Sequence, residues 1–228
     1  MKKLAFLLSV ITLSLFSANV LLSQIDLEVK VGLQSTNMDT GLPDMISTQA
    51  LVKPTIGVAA SYQLDKLISI GTGLNFNQKG FSVNQSTGID VLGQKLPIGV
   101  KAVTEISYVE VPLQLKFNFG SNKVLPYVAI GPVISYASKG NIRTKATALF
   151  DFNMSNTELN LSSEDYNRTQ IHGALQGGVK IPYGNGGHWL VELGYQKSFT
   201  DLVSDQFTAD LGGKHKGLNI NIGYGLRF

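Results

Sequence analysis

Tyr108-Val109-Glu110-Val111-Pro112-Leu113-Gln114-Leu115-Lys116-Phe117-Asn118 is a stretch of strict alternation. Val109, Val111, Leu113, Leu115 and Phe117 share one parity; Glu110, Pro112, Gln114, Lys116 and Asn118 share the other. Successive side chains of a β-strand point to opposite faces, so this stretch is predicted to be a strand with one apolar and one polar side. The end of the chain repeats it, with Leu218, Ile220, Ile222, Tyr224, Leu226 and Phe228 against Asn219, Asn221, Gly223, Gly225 and Arg227. Closer to the beginning, Leu27, Val29 and Val31 alternate with Asp26, Glu28 and Lys30.

Working outward, the same period predicts eight strands, at Ile25 to Gln34, Pro54 to Leu64, Leu67 to Lys79, Glu105 to Gly120, Val124 to Ala137, Gln170 to Tyr183, His188 to Thr200 and Gly217 to Phe228. Their connections alternate in length. Short turns lie around Asp65-Lys66, Gly120-Ser121-Asn122-Lys123 and Gly184-Asn185-Gly186-Gly187, which are rich in turn-forming residues. Long loops lie at Ser35 to Lys53, Gly80 to Thr104, Ser138 to Thr169 and Asp201 to Lys216. A transmembrane β-barrel has short periplasmic turns and long external loops, and periplasmic termini put every connection on its expected side. The expected fold is therefore all-β: an eight-stranded antiparallel up-and-down transmembrane β-barrel.

Alternation also suits a soluble barrel of lipocalin type, with its apolar parity inward. Glycines argue for the opposite sense. Gly32, Gly57, Gly71, Gly73, Gly131, Gly178, Gly194, Gly223 and Gly225 all fall on the polar parity. A water-exposed strand face disfavours glycine, whereas an eight-stranded lumen has room only for side chains and needs small residues beside long charged ones. Aromatic residues sort by end, as at the two interfaces of a membrane barrel. Tyr62, Phe117, Phe119, Tyr183, Trp189, Tyr224 and Phe228 form an expected periplasmic girdle, and Phe76, Tyr136, Tyr195 and Phe199 lie near the opposite ends. Lys197, outward near the external rim, can snorkel into headgroups.

The chain begins with Lys2 and Lys3 followed by an apolar run from Leu4 through Phe16, the pattern of an export signal. Residues 1–23 are read as that signal and 24–228 as one barrel domain. Without Lys2 and Lys3 the formal charge falls from +3 to +1, so no polybasic surface and no nucleic-acid partner is implied. No cysteine is present, which removes disulfide and thiolate chemistry. Charged residues make up 15%, against about 25% in soluble domains. Outer-membrane lipid is the partner this deficit implies.

The inward candidates are Asp26, Glu28, Lys30, Glu110, Lys116, Lys180, Glu192 and Arg227, which bring both signs of charge into one narrow lumen. They can form a proton or ion path, or a salt-bridged plug; the plug is the expectation, since eight strands enclose too little space for a water channel. Of the histidines, His172 is placed inward near the external end of the sixth strand, His188 beside a periplasmic turn and His215 in the last loop. They do not converge, no nucleophile elbow surrounds any serine, and no metal-ligand spacing or phosphate loop appears, so neither a catalytic centre nor a cofactor is expected. An enzyme that modifies lipid A is the less favoured alternative. Partner binding is expected in the long loops, where residues 145–152 and 157–161 alternate again and suggest that the fifth and sixth strands extend as a hairpin whose edge accepts a protein strand.

The run from Tyr108 to Phe117, followed by Pro126-Tyr127-Val128-Ala129-Ile130-Gly131-Pro132, resembles the PorT-like outer-membrane β-barrel ("porin family") of Bacteroidota. The motif covers about a quarter of the mature chain, while strand number and loop order agree throughout. The resemblance implies an outer-membrane location and, for the family's named member, an accessory role in protein secretion. The ending Gly225-Leu226-Arg227-Phe228 is similar to the signal by which such barrels are recognised by the assembly machinery, through Phe228.

Overall fold

Two-faced strands hold together only when their backbone groups are paired and both faces find a suitable solvent. Here they pair edge to edge into a closed wall. The computed structural model describes residues 24–39, 48–91, 94–120, 123–147, 151–159, 161, 167–200 and 214–228. The signal expected at 1–23 lies outside them. Among the described residues nine strands are formed: β1 (Ile25–Asp39), β2 (Thr48–Gln63), β3 (Ile68–Val91), β4 (Gln94–Asn118), β5 (Leu125–Thr147), β6 (Asp151–Leu159), β7 (Thr169–Tyr183), β8 (Gly187–Ser198) and β9 (Lys214–Arg227). The hydrogen-bonded order is β4-β3-β2-β1-β9-β8-β7-β5, and a β4–β5 pairing closes the ring. All of these ladders are antiparallel. The result is an eight-stranded barrel, with β6 hydrogen-bonded outside the ring to the far end of β5.

The wall is inside out relative to a soluble barrel. Val111, Leu113 and Leu115 are exposed on the outside, whereas Glu110, Gln114 and Lys116 are buried within. The same holds on β8, where Trp189, Val191, Leu193 and Tyr195 face outward while Leu190, Glu192 and Gln196 are buried. Water would not tolerate such a continuous apolar belt, and hydrocarbon would not tolerate the buried set if it faced out. This overturns the lipocalin alternative. No described helix is long and apolar enough to cross a membrane; the chain crosses with strands.

The turns at the short-loop rim follow their glycines. Gly184 and Gly186, between β7 and β8, have φ of 63° and 83°, the left-handed region in which a side chain is strained. Gly120, after β4, has φ of 111°.

At the other rim the strands outrun the apolar alternation. β1 continues to Asp39 and β2 begins at Thr48; β3 runs on to Val91 and β4 starts at Gln94. The segments expected as loops at 35–53, 80–104 and 138–169 are therefore largely strand, and the last barrel strand begins at Lys214 rather than Gly217. The reason is physical: alternation registers where one face meets lipid, while the hydrogen-bond ladder continues wherever two strands remain adjacent. The alternation at 145–152 and 157–161 resolves as a hairpin in part: the fifth barrel strand, β5, does extend, to Thr147, but the sixth, β7, starts at Thr169 and the second arm is the separate strand β6. β6 pairs antiparallel with the far end of β5, Gly140 opposite Leu159 and Thr147 opposite Asp151.

Candidate functional site in the barrel lumen

The inward parity of every strand delivers side chains to one narrow space, so long charged residues must either pair or stay in water. They pair. Near the short-turn end, Glu28 accepts Lys180 at 2.6 Å, with Lys116 Nζ at 3.5 Å and His188 Nε2 at 3.4 Å. Asp26 takes Lys180 at 2.8 Å and Arg227 Nε at 2.6 Å; these residues come from β1, β7 and β9. One level up, Glu192 accepts from Lys30 at 3.3 Å, from the Tyr127 hydroxyl at 2.7 Å and from Asn221 at 3.1 Å. Gln114 donates to Gln176, over the intervening strand β5. Higher still, Glu110 accepts from Lys79 at 2.5 Å, from Asn77 at 2.5 Å and from Ser135 at 2.8 Å.

Each of the eight charged residues singled out in the sequence thus has an oppositely charged neighbour, but Lys79 supplies the partner of Glu110 and had not been among them. Its parity on β3, shared with Asn75 and Asn77, was the available signal. Two tyrosines were also missed. Tyr108 and Tyr127 are buried in the lumen, not in a girdle, and their rings face Lys79, Lys116 and Lys180 at 5.5 to 5.7 Å, within cation–π range. A cavity at mid-lumen, between Lys30, Asn77, Gln176 and Gln196, has a volume of about 20 Å³. That is room for about one water molecule, not for a continuous column of them.

Tyr127 fits because Gly178 lies directly opposite it in the ladder. A Cβ at Gly178 would fall 2.6 Å from the ring carbon that carries the hydroxyl. Gly178→Ala is therefore expected to push the ring off Glu192 and to destabilise the barrel by roughly 1 to 3 kcal/mol, as overpacking does. Urea unfolding of the lipid-embedded protein checks this, and an unchanged midpoint would contradict the packing.

The aromatic residues expected as a girdle lie at the short-turn rim. Tyr62 is paired with Ile25, Phe117 with Ile68 and Trp189 with Tyr224. The last two rings meet edge to face, their centroids 5.1 Å apart. Tyr183, Trp189, Tyr224, Phe119 and Phe228 are exposed on the outer surface.

Two histidines lie where the alternation puts them, His172 inward on β7 and His188 at the start of β8 beside the short turn, and one does not. His188 is buried against Glu28, and together with Asp26 the three place one ligand-type atom each within 4.8 Å. Lys180 and Arg227 already occupy those carboxylates. His215 is not in a loop: it is on β9, buried in the lumen, edge-on to Tyr108 with centroids 6.0 Å apart. Among the described residues no histidine nitrogen bonds a serine; those of His172 and His215 have no partner.

The description "Outer membrane protein beta-barrel domain" matches residues 17–204. Solved structures similar to the chain include Ail, the attachment invasion locus protein of Yersinia pestis, at 12% identity over 89% of this chain and 99% of that one, with a TM-score of 0.40. OprG from Pseudomonas aeruginosa is 12% identical over 89% of this chain and 95% of its own, with a TM-score of 0.45. The outer membrane protease OmpT from Escherichia coli is 10% identical over 90% and 97%, with a TM-score of 0.34. No curated relative matches the chain.

Proposed function

Since this chain belongs to the outer membrane protein beta-barrel domain family, we propose that it is a non-conducting, non-enzymatic scaffold of the outer membrane that acts through its external strands in an adhesive, structural or secretion-accessory role of PorT-like kind. It is an outer-membrane barrel embedded in lipid; the finer role is the proposal. The observation that carries it is the contrast between the two ends of the molecule. Among the described residues the lumen is crossed by paired ions around a void of about 20 Å³, which leaves no room there for a column of water. Above the apolar belt, β3, β4, β5 and β6 continue as one hydrogen-bonded sheet, in which β6 pairs with β5. A rigid barrel that projects a sheet is a display device, and a free strand edge can accept an extended segment of another protein. Among the described residues no serine hydroxyl is hydrogen-bonded to a histidine, and Ser198, opposite His172, donates to the Thr200 carbonyl instead, which argues against hydrolytic chemistry. Export by a signal at 1–23 and recognition by the assembly machinery through Phe228 belong to the same proposal.

The experiment is a loop-trimmed chain in which residues 84–100 and 144–157 are replaced by short turns. The trimmed protein is expected to keep heat-modifiable migration and outer-membrane fractionation while its strain loses surface binding or secretion to the level of a deletion strain. Full retention of both activities would remove the external sheet from the function. In planar bilayers the intact protein is expected to show no steady conductance, and a stable ohmic channel would contradict the plugged lumen.

A further inference from the structure

The external half of the lumen holds a second cluster that the ion pairs do not absorb. His172 on β7 and His215 on β9 are both buried. His172 stands opposite Ser198 of β8, and Lys197 of β8 stands opposite Lys216 of β9, so the two imidazoles flank one strand at nearly the same height. Adjacent strands are about 4.8 Å apart, which puts their backbones about 10 Å from each other with both rings aimed into the same narrow space. Met38 of β1, also buried, is the direct cross-strand partner of His215. Opposed residues have Cβ atoms about 5 Å apart.

Among the described residues none of the four ring nitrogens of His172 and His215 has a hydrogen-bond partner. A neutral imidazole carries one donor and one acceptor, and buried groups of this kind are nearly always satisfied. The nitrogens have essentially no accessible surface, so no water-sized space adjoins them. A metal ion sits about 2.0 to 2.1 Å from an imidazole nitrogen, closer than a hydrogen-bonded water, and so takes less room.

We propose that His172, His215 and Met38 form a site for a soft transition-metal ion, with copper(I) the best match. Thioether sulfur is a soft ligand that selects copper(I), and imidazole suits copper as well. All three donors are uncharged, so a monovalent ion adds the least charge to a lumen whose nearby Lys79 is already neutralised by Glu110 at 2.5 Å. A hard divalent ion would seek carboxylates instead. Those at the opposite end, Asp26 and Glu28, are held by Lys180 and Arg227.

The test is an anaerobic titration of the purified full chain in detergent with copper(I), in competition with a chromophoric copper(I) chelator. One ion per chain is expected. Met38→Leu is expected to weaken binding at least about tenfold, and the double variant His172→Gln with His215→Gln to abolish it. Heat-modifiable migration checks that each variant is folded. No competition by the wild-type protein, or undiminished binding by either folded variant, overturns the site. Should a variant not fold, the copper X-ray absorption spectrum of the wild type decides: nitrogen and sulfur scatterers support the site, and oxygen scatterers alone overturn it.

Discussion

Glu28→Gln is expected to destabilise the barrel by about 3 to 5 kcal/mol, the range for breaking a buried ion pair by removing one partner. Glu28 is 2% exposed and is the shared acceptor for Lys180 at 2.6 Å and Lys116 at 3.5 Å. Lys180 retains Asp26 after the substitution, at 2.8 Å. Among the described residues Lys116 then has no acid at ion-pair distance; Tyr127, whose ring centroid is 5.7 Å away, supplies only its π face. The cost is therefore concentrated on one buried ammonium. A double variant, Glu28→Gln with Lys116→Met, removes that ammonium and is expected to recover much of the loss, because replacing a whole buried pair by uncharged groups is often close to neutral. Urea unfolding in lipid vesicles reads both variants. Equal destabilisation of the single and the double would show that the loss comes from something other than the orphaned Lys116.

The second large effect belongs to the opposite face. Leu113 is 48% exposed on the outer wall of β4, flanked in the ladder by Thr72 and between Val111 and Leu115 along the strand. Leu113→Arg is expected to cost about 2 to 4 kcal/mol, the range for a cation on the lipid face near the bilayer midplane. The same substitution at Phe119, beside the short turn, is expected to cost only about 0 to 1 kcal/mol, since the penalty falls toward the interface. Unfolding free energies from vesicles check both. Equal costs at the two positions would place the apolar belt at a different height on the wall.

How far the site was legible in the sequence varies residue by residue. Glu110 and Lys116 declared their inward direction through the parity they share with Gln114, and the structure buries both. Tyr127 carried the same signal, since it shares a parity with Ala129 and Gly131, both inward. It was passed over because aromatic residues were sorted by their place near strand ends on the apolar side. His215 shares its parity with Gly217 and Asn219, but the alternation does not mark it as strand, because Lys214 and Lys216 on the other parity are not apolar. Outward lysines mark the level where the wall leaves hydrocarbon, and the ladder does not stop there: His215 still pairs with Met38. The alternation at 145–152 and 157–161 signals further strand, but not β6 as a separate element paired with β5, since nothing local distinguishes a strand that continues the ring from one that folds back on its predecessor.

The sequence alone determined the number of crossings and which parity of each strand meets lipid. Lipid contact is a transfer preference of individual side chains, repeated every second residue, and it can be read without knowing what lies across the lumen. Only the closed ring decided which charges meet. Lys30 and Glu192 are 162 positions apart and become neighbours because β1, β9 and β8 are consecutive in the wall. Ionic pairing depends on distance through the lumen, and that distance exists only once the β4–β5 ladder has shut the barrel.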